Sequence, residues 1–169
     1  ASHCRNARIV FDKYHVIANV CAAVDHVRRA EARWGSPTIQ QELQKTLWLV
    51  RKNPSSMTES ERLRMEKLRQ GRSWTAKAYQ MRLVLQDIYA QAHEGRAREA
   101  FVNWCQWVRD TAFYAPKVVF APMLAAAKMI LGHLNGIMAH WGHRITNAYM
   151  EALNSVFSAT KRKARGYRT

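Results

Sequence analysis

Ala7-Arg8-Ile9-Val10-Phe11-Asp12-Lys13-Tyr14-His15-Val16 changes its period halfway along. Ile9, Val10 and Phe11 run together as in a buried strand. From Lys13 onward, Val16, Ile17, Val20, Cys21, Val24 and Val27 recur at helical spacing, which predicts a helix over 13–32. Asp12 stands at the junction. At the carboxyl end of a strand, its carboxylate projects beyond a sheet edge, where α/β proteins commonly hold ligands and metals. As the residue before a helix, it is also a good N-cap. One strand alone is not stable. Its partners are either missing or too weak to read.

Downstream the chain reads as helices. Gly35-Ser36-Pro37 ends the first unit, and a second helix is predicted over 39–50, stopped by Asn53-Pro54. Thr58 and Glu61 form a capping box that opens a third helix to residue 69, with Leu63, Met65 and Leu68 on its apolar side. Further helices are predicted over 74–92, 97–111, 123–141 and 148–162, with Pro116 and Pro122 punctuating the entry to 123–141. The expected class is mainly α. The organisation divides into a strand-helix part at 1–34, a helical block at 35–115 and a final part at 116–169. That layout suggests an insertion placed inside another fold.

The chain has 169 residues, of which 48% are hydrophobic, enough for one domain with a real core. Lys and Arg number 27 against 12 Asp and Glu, for a net charge of +15. An anionic polymer is the default partner, and nucleic acid is the commonest one. No run of about 20 apolar residues exists, so neither a membrane span nor a membrane partner is expected. Nor is a signal peptide expected. Cys4, Cys21 and Cys105 form no C-x-x-C pair, which argues against a disulfide scaffold or a zinc ribbon and for a reducing, cytoplasmic setting. The chain opens with Ala only a few residues before a strand-like run, so a fragment or a processed product is expected.

Acids that persist beside so much positive charge invite a reason. Glu151 precedes a basic tail and shares one polar helix face with Asn154, Ser155, Ser158 and Arg162. With Asp12 it is a candidate to hold divalent metal over a phosphate backbone that the basic residues bind. The plainer account is an exposed glutamate favoured by a helix dipole.

Three motifs in order resemble a known family. Phe11-Asp12-Lys13-Tyr14-His15-Val16 is similar to a D-x-F-H-V motif, with Tyr in place of Phe. Thr146-Asn147 through Glu151-x-x-Asn154 is similar to T-N-G-x-x-E-x-x-N, with Ala148 in place of Gly. Lys161-Arg162-Lys163-Ala164-Arg165-Gly166-Tyr167-Arg168 is similar to K-R-x-A-x-G-F-R. The family is the DDE transposases of bacterial insertion sequences, in the group with the D-x-F-H signature. Ala23-Val24-Asp25-x-Val27-Arg28-Arg29 and Trp48-Leu49-x-x-Arg51-Lys52-Asn53-Pro54 are also similar, so the resemblance covers nearly the whole chain.

The resemblance implies a partial RNase H-like α/β core, its first strands missing, with an all-helical insertion. Asp12 would be the second acid of the catalytic triad and Glu151 the third. The first aspartate is expected upstream of residue 1. Mg²⁺, or Mn²⁺ in its place, would be the cofactor for cleavage and strand transfer. The partners would be element-end and target DNA, with homo-oligomers possible for such an enzyme and a nucleoid-associated location. Lys13, His15, Asn154, Lys161, Arg162, Lys163, Arg165 and Arg168 would contact DNA. With two of three ligands, the isolated chain is expected to be inactive. The other readings are a noncatalytic basic helical module that binds nucleic acid, and a transposase remnant.

Lesser candidates point to packing. His133, His140 and His143 are predicted on one helix, where a seven-residue rise of roughly 10 Å is too long for one ion to bridge. The tryptophans, Trp104 and Trp107 among them, are candidates for base stacking or for core. Cys105 has no base nearby in sequence to make it a nucleophile.

Overall fold

Val16, Val20, Ala23, Val24 and Val27 form the buried face of α1, Lys13–Trp34, in the computed structural model. Residues 11–142 and Ser155 are described. Asp12 opens α1 by accepting the Tyr14 backbone N–H on Oδ1 at 3.1 Å. Gly35 ends it. A Cβ at Gly35 would lie 2.6 Å from the Glu31 carbonyl oxygen, so only glycine allows the chain to turn so close to the last helical turn.

The second helix is shorter than its sequence predicts. α2 covers Pro37–Glu42, with the Ser36 hydroxyl accepting from the Ile39 N–H. Lys45 then takes a left-handed φ of 55°, and the buried Thr46 hydroxyl donates to the Leu43 carbonyl at 2.6 Å. Side-chain bonding of that kind competes with helix continuation. Only a short 3-10 turn, Leu49–Arg51, follows, and another spans Pro54–Ser56.

α3, Glu59–Gln70, opens on the predicted capping box, with both of its bonds formed. Leu68 is fully buried, packed with Leu43 and Ala76 in a small satellite core. Leu63 is 58% exposed, contrary to expectation. Five residues apart, the two leucines sit roughly 140° from each other around a helix, and α3 presents only one narrow edge to its neighbours.

α4 covers Trp74–Ile88 and α5 covers Glu94–Tyr114. The predicted helix over 123–141 is two helices. α6, Lys117–Gly132, begins upstream of Pro122 and contains it. The proline removes the bond that would reach the Val118 carbonyl, and Val118 is itself exposed, so water can satisfy that oxygen. The chain breaks at His133 and bends by 68° into α7, Leu134–Gly142. Phe11 stacks on the His133 ring at 4.4 Å and donates its N–H to the Gly136 carbonyl at 3.2 Å.

α1 lies against α4 and α6, α5 packs on α4 and α6, and α7 rests on α5 and α6. One contiguous core joins Val20, Val24, Met81, Leu85, Phe101, Trp104, Phe120 and Met123. Trp104 is sealed inside and donates its indole N–H to the Met81 carbonyl at 2.8 Å. All regular structure among the described residues is helical, as a mainly α chain requires. No single helix among them is long and apolar enough to cross a membrane. The predicted strand lies outside the described residues except for Phe11, and the predicted helix over 148–162 lies outside them except for Ser155, which is helical and exposed.

Candidate active site

Asp12 sits where α1 meets α7. Its Oδ1 is engaged by the Tyr14 N–H, and its side chain is half-buried. The capping role foreseen for it is therefore real. It leaves Oδ2 without a partner among the described residues, so the carboxylate can cap a helix and still offer one oxygen to a cation.

Around Asp12, α1, α4 and α7 meet in an aromatic nest. Tyr89, just past the end of α4, stacks on Trp141 at 5.6 Å with an interplanar angle of 12°. It meets His140 and Phe101 edge-on. The Lys13 ammonium lies 5.5 Å from the Tyr89 ring centroid. The Trp141 indole N–H donates to the Gln91 carbonyl at 2.7 Å, which ties α7 to the α4–α5 turn. The Tyr89 hydroxyl is buried with no hydrogen-bond partner among the described residues, and burial, then the charge of Asp12, pushes its pKa well above the usual phenol range. Burial, then the Lys13 charge, holds the His140 imidazole below its ordinary value, while Asp12 pulls the other way. The charges of Asp12 and Lys13 thus act on His140, and that of Asp12 acts on Tyr89.

The remaining predicted residues fall as follows. His15 is exposed on α1, its ring 6.5 Å from that of Tyr14. His133 closes α6 and His140 lies on α7, so the helix they were expected to share is broken between them. Glu151, Asn154, Lys161, Arg162, Lys163, Arg165, Arg168 and His143 lie outside the described residues. Among the described residues no three of His, Cys, Asp and Glu gather as a metal-binding group. Trp104 is core, whereas Trp107 is half-buried under the Lys77 ammonium at 5.3 Å. Cys105 is buried with its thiol 3.6 Å from the Ala127 carbonyl oxygen, and burial pushes its pKa up to about 12. At neutral pH it stays a protonated thiol, not a nucleophile.

Two features escaped the sequence reading. Glu31 continues the buried stripe of α1 and is only 3% exposed. An acid at a position where the helical repeat calls for an apolar residue was the available signal. Arg82 is buried over the Tyr79 ring and donates to the Asn53 side chain and the Lys52 carbonyl, fastening the 52–53 loop to α4. No pattern in the sequence separates it from the many exposed arginines.

A family model described as transposase matches residues 1–169, the whole chain. The transposase for insertion sequence element IS1001 of Bordetella parapertussis is 26% identical over 171 residues, which cover 99% of this chain and 40% of that protein. The chain thus spans about 40% of the length of this relative. No solved structure matches it.

Proposed function

The chain belongs to that transposase family, and we propose that it carries two acids of a DDE catalytic centre, Asp12 and Glu151, in the group with a D-x-F-H second motif. The observation that carries this reading is the family match along all 169 residues, together with the resemblance of the stretches around Asp12 and Glu151 to the motifs that hold acids in DDE transposases. The position of Asp12 agrees with it. Its carboxylate lies near enough to His140 on α7 for its charge to act on that imidazole.

In this reading the 35–115 block is an insertion into an RNase H-like core whose first strands and first aspartate come from another segment of the whole transposase. Asp12 fits as a ligand through Oδ2, which has no partner among the described residues, with Glu151 as the second. Divalent metal held there would activate the attacking water or 3′-hydroxyl and stabilise negative charge on the phosphoryl and leaving oxygens. The chain's own residues do the rest. Lys13 brings positive charge beside Asp12, limiting repulsion of the incoming phosphate. His15 and the tail residues Lys161, Arg162, Lys163, Arg165 and Arg168, with Asn154, grip the DNA backbone. A complete centre of this kind needs a third acid beside Asp12 and Glu151.

The test uses the whole transposase. Mg²⁺- or Mn²⁺-dependent nicking at element ends should fall by at least about a hundredfold in Asp12→Asn and in Glu151→Gln. DNA affinity should stay within about twofold, because the lysines and arginines supply it. Full nicking activity in either variant removes that residue from the site.

A further inference from the structure

An open groove of about 530 Å³ runs along the outer side of α1, between that helix and Arg51. That is within the usual size of a small-ligand site. Ala18, Cys21 and Ala22 line it with small side chains, and Lys13 and Arg51 bring positive charge to it. Among the described residues no carboxylate lines it. Tyr14 stands at its mouth, 71% exposed. The Arg51 guanidinium lies 5.4 Å from the ring centroid of Trp48, which is itself 68% exposed. The groove begins one residue from Asp12, because Lys13 and Tyr14 are its first two lining residues.

We propose that this groove receives an unpaired DNA strand beside the cleavage site, with bases stacked on Tyr14 and, beyond Arg51, on Trp48, and with phosphate held by Lys13 and Arg51. The inference rests on the reading of Asp12 as part of a DNA-cutting centre. Exposed aromatic faces interleaved with cations are the combination that single strands select. Duplex DNA keeps its base faces in the stack and gains nothing from such rings. An apolar protein segment would desolvate the Lys13 and Arg51 charges without bringing an anion to them. The small side chains of Ala18 and Ala22 leave room for a flat ring to lie close to the helix.

The test is fluorescence anisotropy of the 169-residue chain with a short labelled oligothymidylate and with a labelled duplex of equal length, at one salt concentration. Trp48→Ala and Tyr14→Ala should each weaken single-strand binding by roughly five- to a hundredfold. Duplex binding should change by less than about twofold. Both side chains are exposed, so the fold is not at risk. Alkylation of Cys21, measured in a Cys4→Ser background, should also slow when oligothymidylate is bound. Equal losses on both DNAs, no loss on either, or unprotected Cys21 would overturn the groove and leave the reading of Asp12 standing. Self-association of the chain that Trp48→Ala abolishes would assign the groove to a second copy and overturn it too. A wild-type chain that binds neither DNA would overturn the groove and the DNA-directed reading together.

Discussion

The Glu31 carboxylate holds Thr75 by both of its donors, the backbone N–H at 2.7 Å and the hydroxyl at 2.6 Å, on one oxygen. The same oxygen accepts from the Ser73 hydroxyl, and the other oxygen accepts from the Trp74 N–H at 2.7 Å. A side chain from the last turns of α1 thereby caps the first turn of α4. The charge is buried, yet every bond to it comes from a donor, and the N-terminus of α4 adds its dipole.

Glu31→Ala should therefore cost about 2–4 kcal/mol, since it strands several buried donors at once. Glu31→Gln should not rescue, because its amide N–H₂ must face donors wherever it points. The urea midpoint measures both. A midpoint within experimental error of wild type for Gln would mean that the donors find other partners.

His140 gives the fold a pH dependence of definite sign. Burial and Lys13 hold its pKa below the ordinary 6.5 in the folded chain. As pH drops below about 6.5 the unfolded chain takes up a proton that the folded chain refuses. Stability should fall there, and this group should contribute no change above it. His140→Gln should flatten that part of the pH–stability curve. By NMR, Lys13→Met should raise the His140 titration midpoint and Asp12→Asn should lower it. An unmoved midpoint in both variants would separate His140 from the Asp12 cluster.

The capping role of Asp12 and its proposed metal role can be separated by substitution. Asn caps a helix about as well as Asp, so Asp12→Asn should leave the melting temperature of the chain nearly unchanged. Asp12→Ala loses the bond to Tyr14 and should cost about 1 kcal/mol. A large destabilisation by Asn would show that the negative charge, not the cap, matters to the fold.

The tail residues Lys161, Arg162, Lys163, Arg165 and Arg168 should act on DNA through charge alone. Replacing them with alanine should weaken binding to every sequence alike and reduce the log–log salt slope by roughly 0.9 per lost phosphate contact. An unchanged slope would return the tail to a solvated surface.

Local rules were legible in the sequence where one segment sufficed. The valine stripe of α1, the Asp12 cap and the Thr58–Glu61 box each rest on neighbours in the chain, and each formed. The break at His133 did not show, because Phe11 stabilises it from far away in sequence. α2 ended early through the conformation of Lys45 and one bond from Thr46, which no apolar repeat encodes. In the site, a motif singled out Asp12, while Tyr89, His140 and Trp141 come from separate elements and meet only in the fold. Trp48 and Trp104 look alike as letters. One lies in water and the other in the core, and what decides is which neighbours α5 and the 46–51 segment meet.

α1 is flanked by α4 on one side and α6 on another, although α4 belongs to the 35–115 block and α6 follows it. The block is no cassette. A chimera that took 35–115 from a relative and kept the rest would set a foreign α4 against Val20, Val24 and Val27. A size change on the α4 face that meets α1 would therefore need a compensating change on α1. Among the described residues, a piece traded between such proteins must run at least from Phe11, which stacks on His133, through α7.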